Sequence, residues 1–169
     1  MLLIREETPE DYSAIREVNR LAFGGDAESI LVDRLREDRM VVASLAAVED
    51  GKIAGHILFS ELPVETVDRV IAAVALAPMS VLPARQRSGI GSAMVREGLE
   101  VCRRRGKAVV AVLGHPWYYP RFGFSVELAT RLHGPYSGAA WMALELAAGA
   151  LNGVEGRVHY PAAFDAVSH

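Results

Sequence analysis

The sequence predicts an α/β (α+β) protein, with a mixed central sheet flanked by helices, from three observations. Apolar residues recur at helical spacing over residues 9–22 and again over residues 90–105. Between these helices lie apolar runs bounded by turn residues, which is the pattern of paired strands. The helix over residues 90–105 leads directly into a buried apolar strand, as the crossover of a βαβ unit does. Helices that cover a sheet built in this way give a mixed α/β architecture.

The length and composition fit one globular domain, which we assign to residues 1–169. The chain is 51% hydrophobic and 23% charged, as expected for an ordered globular protein. The net charge of −3 argues against a nucleic acid or an anionic membrane as the partner. These properties leave both an enzyme and a small-ligand binding protein open.

The cysteine content and the start of the chain predict a cytoplasmic protein without a metal. Cys102 is the single cysteine, so neither an internal disulfide nor a cysteine-rich zinc site can form. The opening residues MLLIREETPEDY are charged from position 5 and lack the apolar core of a signal peptide. No apolar run is long enough to cross a bilayer. Because Cys102 lies beside the apolar face of a predicted helix, we expect it to be buried.

The first elements are predicted from caps, glycine breaks and changes of period. Residues 2–6 form a strand, and Thr8 caps a helix over 9–22 that begins with Pro9 and is broken by Gly24. The period then changes from helical to strand-like. The elements predicted next are a helix over Ala27–Arg36, a strand over Met40–Val48, a turn over Glu49–Lys52 and a strand over Ile53–Ser60.

The later elements surround one long helix over residues 90–105. The preceding strand, Val67–Leu82, is expected to bend near Pro78, because proline has no N–H for the strand ladder. The strand after the helix, Lys107–Leu113, is apolar throughout and therefore buried. Further strands are predicted near residues 124–131, 141–147 and 156–160.

The segment that joins the strand Val67–Leu82 to the long helix is the most informative part of the chain. A helix N-terminus leaves its first N–H groups without partners and so attracts anions. Here Gly89 and Gly91 allow close backbone approach, and Arg85 and Arg87 add positive charge. The segment predicts a site for a pyrophosphate-like group. It matches neither the dinucleotide fingerprint nor the P-loop pattern.

This segment resembles the GNAT superfamily of acyl-CoA-dependent N-acetyltransferases. The residues Gln86-Arg87-Ser88-Gly89-Ile90-Gly91 match its Gln/Arg-x-x-Gly-x-Gly/Ala signature, and Val81-Leu82-Pro83 precede them as in the family. The resemblance covers roughly residues 1–125 in element order and is sharpest over 76–124. The segment 114–124 and the stretch 156–164 are similar to those of a bacterial subgroup of the superfamily, which extends the resemblance across most of the chain. It implies the GNAT fold, whose fourth and fifth strands splay apart, and acetyl-CoA as the acyl donor.

The resemblance also implies what each part of this segment does. Backbone amides after the signature glutamine hold the CoA pyrophosphate, while open backbone groups near Met79–Val81 pair with the pantetheine arm. An N–H near Val81 polarises the thioester carbonyl. The implied acetyl-CoA-binding residues are Met79, Ser80, Val81, Arg85, Gln86, Arg87, Ser88, Gly89, Ile90, Gly91 and Ser92.

An aromatic segment supplies the implied general acid. In the family a tyrosine commonly lies four residues before the glycine of a Gly-Phe pair, and Tyr119 has this place before Gly123-Phe124. Its implied role is to donate a proton to the departing CoA thiolate. The alternative is that Tyr118 and Tyr119 are packing aromatics. Trp117, Tyr118 and Phe122 are interpreted as an aromatic wall and not as reacting groups.

The general base stays open in the sequence. Many family members have a glutamate on the fourth strand, but the corresponding residues 70–81 contain no acid. An alkylammonium, with a pKa of about 10.4, must lose a proton before it attacks a thioester. The candidates are Glu61, His56, Glu28, His115 and a water chain. Each of these side chains also has a purely structural explanation, as a strand-end, helix-start or buried residue.

The resulting hypothesis is an N-acetyltransferase that transfers acetyl from acetyl-CoA to a small primary amine by direct attack. The alternatives are a non-catalytic acyl-CoA-binding sensor and a protein- or tRNA-modifying acetyltransferase. The arginines 103–105 fit a helix C-terminus, with an RNA contact as the alternative. The apolar stretch 139–151 fits either the core or the surface of a homodimer. Residues 22–40 and 125–150 do not identify the amine.

Overall fold

The computed structural model describes residues 1–167. The helices are α1 (Tyr12–Phe23), α2 (Ala27–Glu37), α3 (Ile90–Arg104) and α4 (Val126–Ala129), with 3-10 turns at Pro9–Asp11, Pro83–Arg85, Tyr119–Phe122 and Ala162–Val167. The strands are β1 (Leu2–Glu6), β2 (Val41–Glu49), β3 (Lys52–Glu61), β4 (Val64–Glu65), β5 (Val70–Ile71), β6 (Ala73–Val81), β7 (Val109–Leu113), β8 (Leu132–His133), β9 (Trp141–Glu145) and β10 (Gly156–Val158).

A mixed six-stranded sheet forms the centre of the fold, in the order β1-β2-β3-β6-β7-β9. Its neighbouring strands are antiparallel except for β6 and β7, which α3 connects as a parallel crossover. A smaller sheet, β5-β4-β10-β8, lies beside it. The predicted α/β (α+β) class, a mixed central sheet with flanking helices, is confirmed.

Helices cover both faces of the large sheet. Helix α3 packs so closely on one face that a Cβ at Gly98 would lie 2.2 Å from the ring of Phe59, so glycine is required there. Helices α1 and α2 cover the other face, where Leu31 and Leu35 pack with Leu58 of β3. Cys102 is fully buried as predicted, and burial raises its pKa to about 12. None of the described helices is long and apolar enough to span a membrane.

Two predicted strands are wrong in part. Residues 126–129 are helical, because the Ser125 hydroxyl accepts a hydrogen bond from the Leu128 N–H at 3.1 Å and caps a single helical turn. The predicted strand Val67–Leu82 begins later, since the Thr66 hydroxyl accepts from the Arg69 N–H at 3.0 Å and closes a turn that leaves Val67 exposed. The strand that follows is divided into β5 and β6.

Strands β6 and β7 separate halfway along β6. Pairing of β6 with β7 is confined to the register Ala73–Ala75 opposite Val109–Ala111. Just beyond it, β3 residues Ile57 and Phe59 oppose Met79 and Leu76, so β6 contains an additional residue at its Ala77-Pro78 step. The bend predicted at Pro78 and the splayed strands implied by the resemblance are confirmed.

Candidate active site

The gap between the parted strands opens into a cavity of about 560 Å³. One side of it is formed by the last part of β6, where Met79, Ser80 and Val81 line the cavity together with Gln86. The opposite side comes from α1, α2 and the C-terminal 3-10 turn. The segment after β7 forms the wall between these two sides. The predicted residues Met79, Ser80, Val81, Gln86 and Tyr119 therefore lie on one cavity.

The register of β6 directs backbone groups into this gap. In an antiparallel pair, residues alternate between exchanging hydrogen bonds with the partner strand and pointing away from it. The Leu82 N–H donates to the Ala54 carbonyl at 2.8 Å, so Met79 and Val81 direct their N–H and C=O groups away from β3. The Gln86 amide donates to the Val81 carbonyl at 3.1 Å. The Val81 N–H points toward the gap because of this register.

Ser80 adds a side chain that lacks a partner at the same place. It lines the cavity with only 4% of its surface exposed, and its hydroxyl has no hydrogen-bond partner among the described residues. A buried hydroxyl without a partner costs stability in a folded protein. This orphaned hydroxyl lies beside the cavity, with its oxygen almost fully covered.

The glycine loop ends in an uncapped helix N-terminus. Gly89 precedes α3 in the left-handed region, at φ +87°, and no side chain caps the helix. The first intrahelical bond of this turn runs from the Ala93 N–H to the Gly89 carbonyl, so the earlier N–H groups are free for an anion. Apart from its chain neighbours and the nearby helix backbone, no described atom lies within 4 Å of where a Gly89 Cβ would be. The loop is therefore open around Gly89.

The two arginines of the loop differ in their surroundings. The Arg85 guanidinium donates to both Glu49 carboxylate oxygens at 2.5 and 2.6 Å, and this pairing raises its pKa. Arg87 is exposed, and its backbone adopts a left-handed conformation at φ +65°. The charge predicted for a phosphate is therefore freely available at Arg87, whereas at Arg85 it is shared with a carboxylate. Ser88 is hydrogen-bonded to the Arg85 carbonyl.

Tyr119 is held rigidly in the aromatic wall. Its ring lies so close to Gly114 that a Cβ there would come within 2.3 Å of it, and it packs edge-on against Tyr118 and Phe124. The side chain is 7% exposed, and burial, reinforced by Tyr118, raises its pKa to about 12. Its hydroxyl makes no hydrogen bond to any described residue. Tyr119 therefore stays protonated at neutral pH, as a proton donor must.

Tyr118 connects the aromatic wall to the glycine loop. Its hydroxyl lies 3.0 Å from the Ser92 hydroxyl in the first turn of α3. A Cβ added to Gly91 would lie 3.2 Å from the same Tyr118 oxygen. The wall and the helix N-terminus are thus in direct contact, and Gly91 gives the space for that contact.

The candidates for the general base are separated by the fold. Glu28 and His115 line the cavity. Glu61 does not, and its carboxylate is held by the Lys107 ammonium at 2.5 Å. His56 is fully buried between β3 and α1. Of these side chains, only Glu28 and His115 can reach a molecule in the cavity.

His56 belongs to a buried polar network beneath α1 and α2. Its Nε2 lies 2.8 Å from the Ser44 hydroxyl, which donates to Glu7 at 2.6 Å, and Glu7 accepts from Arg36 of α2 at 2.7 Å. Burial would raise the Glu7 pKa, but hydrogen bonds from His56, Arg36 and Ser44 outweigh it and lower the pKa to about 2. Burial lowers the pKa of His56. The network fastens both helices to the sheet.

Several cavity residues carry no sequence signal. Phe23 ends α1, Leu31 lies on α2, and Phe164 comes from the C-terminal turn. No local motif marks them, because their meeting depends on the tertiary fold.

The arginines 103–105 pair with Glu100, Glu97 and Glu6, which supports their structural interpretation. In the stretch 139–151, the β9 residues Trp141–Leu144 are buried in the core.

The family comparison agrees with this site. Residues 3–126 match the family described as acetyltransferase (GNAT) domain. The chain belongs to the GNAT family. The match covers the strands of the large sheet from β1 to β7 and the aromatic wall, and it leaves out β9. The predicted resemblance and the predicted class, an acyl-CoA-dependent N-acetyltransferase, are confirmed.

Bacterial members of the GNAT family match nearly the whole chain. The uncharacterized N-acetyltransferase YhbS of Escherichia coli K12 is 38% identical over 164 residues, which cover 94% of this chain and 96% of YhbS. The crystal structure of E. coli YhbS with CoA superposes with a TM-score of 0.88 at 35% identity, covering 97% of this chain and 92% of that one. A GNAT acetyltransferase from Brucella melitensis, in complex with acetyl-CoA, has a TM-score of 0.81 at 35% identity, with 98% and 99% covered.

Proposed function

We propose that this GNAT enzyme transfers the acetyl group of acetyl-CoA to a small primary amine by direct attack. The observation that carries the proposal is that Val81, with its N–H directed away from β3, and the protonated Tyr119 line one cavity. The uncapped start of α3 adjoins the wall of this cavity through the contact between Ser92 and Tyr118. The complexes of the two bacterial relatives with CoA and acetyl-CoA support the same donor.

The residues present fit acetyl-CoA. The backbone amides from Arg87 to Ser92 would hold its pyrophosphate, with the loop open around Gly89 and Arg87 adding charge. The backbone groups that Met79 directs away from β3 would pair with the pantetheine arm as an added strand does, while the Val81 N–H would face the thioester carbonyl. The orphaned Ser80 hydroxyl lies on the same stretch of β6. Gln86 supports the loop through its bond to the Val81 carbonyl.

The chemistry requires one bond to form and one to break. The amine nitrogen attacks the thioester carbon, so that the N–C bond forms while the C–S bond breaks. The Val81 N–H polarises the carbonyl as charge builds on its oxygen. An ammonium first loses one proton to His115, Glu28 or a water in the cavity, and the nitrogen loses a second proton as the N–C bond forms. The sulfur gains one proton from the Tyr119 hydroxyl, and the second proton from the nitrogen restores that hydroxyl.

A thiol-release assay with a binding control tests this function. We expect acetyl-CoA to raise the melting temperature of the protein, and free CoA to appear only when a primary amine is added. Cys102 is fully buried, so it adds little to the thiol signal while the protein is folded. Stabilisation by acetyl-CoA without CoA release for any amine would identify a sensor and overturn the proposal.

A further inference from the structure

The charges that face the cavity are unequally distributed. Among the described residues that line it, Glu28 carries a negative charge, and there is neither a lysine nor an arginine. Two other carboxylates of the neighbouring helices are already paired: Asp33 with Arg16, and Glu17 with Arg20. Glu28 has no ion pair with any described residue. Its carboxylate is therefore available to a cation that enters the cavity.

The surface around Glu28 is apolar and partly uncovered. Leu31 and Phe164 are buried in the cavity wall, while Phe23 is 45% exposed and Trp117 is 72% exposed although both line the cavity. Trp117 stacks on His115, with ring centroids 5.1 Å apart. Large rings left in water at a cavity wall gain free energy when an apolar molecule covers them.

We propose that the acceptor is a primary amine with an apolar, ring-sized body and no carboxylate, and that its ammonium binds to Glu28. The proposal rests on the proposed function. A charged amine needs a carboxylate partner, and Glu28 is the unpaired one in the cavity. The apolar body packs against Phe23 and Trp117. An amino-acid acceptor is disfavoured, because its carboxylate would approach Glu28 without a cation to balance it.

The place of Glu28 in its helix suggests a competing structural role. Glu28 lies in the first turn of α2, where a negative charge is stabilised by the helix dipole. If this were its only role, replacing it would change stability but not the recognition of amines. Kinetics with matched amines distinguish the two roles.

Three amines that differ by one group each provide the first test. The probes are 2-phenylethylamine, ethylamine, which lacks the ring, and L-phenylalanine, which adds a carboxylate. We expect kcat/KM for 2-phenylethylamine to exceed that for ethylamine by at least about tenfold, because the ring is buried. We expect it to exceed the value for L-phenylalanine by about tenfold or more. A preference for L-phenylalanine or ethylamine would overturn the inference.

A pair of glutamate variants on α2 provides the second test. Glu28→Gln keeps the size and removes the charge, and Glu37→Gln does the same at the exposed end of the helix, outside the cavity. We expect Glu28→Gln to raise KM for 2-phenylethylamine about five- to tenfold, with KM for acetyl-CoA unchanged. We expect Glu37→Gln to leave both values unchanged.

The outcomes separate this inference from the proposed function. An unchanged amine KM in Glu28→Gln, with amine-dependent CoA release intact, would refute the role of Glu28 and leave the acetyltransferase standing. Absence of CoA release with every amine, while acetyl-CoA still binds, would refute the proposed function itself.

Discussion

The two ends of the cavity are built in different ways. The donor end comes from one continuous segment, in which residues 79–81 and 86 line the cavity and the adjoining first turn of α3 follows, and it presents mainly backbone groups. The acceptor end joins Phe23, Glu28 and Leu31, from the end of α1 and the start of α2, to Phe164 of the distant C-terminal 3-10 turn, and presents side chains. On the proposed function, we expect a shared donor molecule to be recognised by backbone groups and the acceptor by side chains, which differ from one sequence to another.

The largest effect is expected where the two ends meet, at Tyr119. Tyr119→Phe keeps the ring packed against Gly114 but removes the hydroxyl. We expect turnover to fall by ~10²-fold or more, within the usual range for a general acid, while the dissociation constant for acetyl-CoA stays the same. Steady-state rates and calorimetric titration with acetyl-CoA measure the two quantities separately.

A second, partly buried tyrosine is the control for that variant. Burial also raises the pKa of Tyr160, which lies outside the lining of the cavity. Tyr160→Phe should leave turnover within about twofold, a difference too small to count as a lost catalytic group. If Tyr119→Phe behaved like Tyr160→Phe, Tyr119 would have no part in the chemistry.

The helices that form the acceptor end can be destabilised through Glu7, which belongs to the polar network beneath them. Its pKa is lowered from 4.5 to about 2, so its contribution is fully present above pH 4.5 and is lost as the pH falls toward 2. We expect Glu7→Gln to lower the free energy of unfolding at pH 7 by roughly 2–3 kcal/mol. Urea unfolding at pH 7, 4 and 3 should show the difference from wild type shrinking with acidification.

The buried His56 changes stability in the same direction with pH. Burial lowers its pKa in the folded protein, so acidification below about pH 6.5 charges it more readily in the unfolded chain and destabilises the fold.

For the Glu7→Gln variant, Glu37→Gln at an exposed end of α2 is the control and should not change the unfolding free energy. If the unfolding free energies of Glu7→Gln and wild type differed by the same amount at all three pH values, the lowered pKa of Glu7 would be contradicted.

The donor end should be sensitive to its backbone conformation at Gly89. Gly89 and Gly106 lie near opposite ends of α3, both with positive φ, at +87° and +80°, and both with open space around a Cβ. Alanine at either position costs roughly 1–2 kcal/mol of backbone strain. We expect Gly89→Ala to weaken acetyl-CoA binding by about tenfold, since the loop shifts to relieve the strain. Gly106→Ala should lower the melting temperature equally and leave binding intact.

The contrast between the two ends also explains what the sequence could predict. The glycine loop and Tyr119 lie in short local motifs, so their positions and the family could be inferred, although the roles of Val81 and Tyr119 stay predictions. Phe23 and Phe164 reach the cavity through tertiary packing, which no local pattern records. The helical turn after Ser125 was missed for a related reason, because one side-chain hydrogen bond to the Leu128 N–H outweighs the strand-like pattern there.

The smallest effect is expected at Tyr118, whose hydroxyl bonds to Ser92 at 3.0 Å and so links the wall to the donor loop. Tyr118→Phe removes a hydrogen bond with a net value of about 1 kcal/mol and keeps the ring. We expect KM for acetyl-CoA to rise about two- to fivefold, with the KM for the amine and kcat little changed. Ser92→Ala should give the same change, and the double variant should add nothing, because both remove one shared bond. A large fall in kcat in Tyr118→Phe would instead make Tyr118 a proton donor, and the division of the cavity into a backbone-built and a side-chain-built end would then fail at its junction.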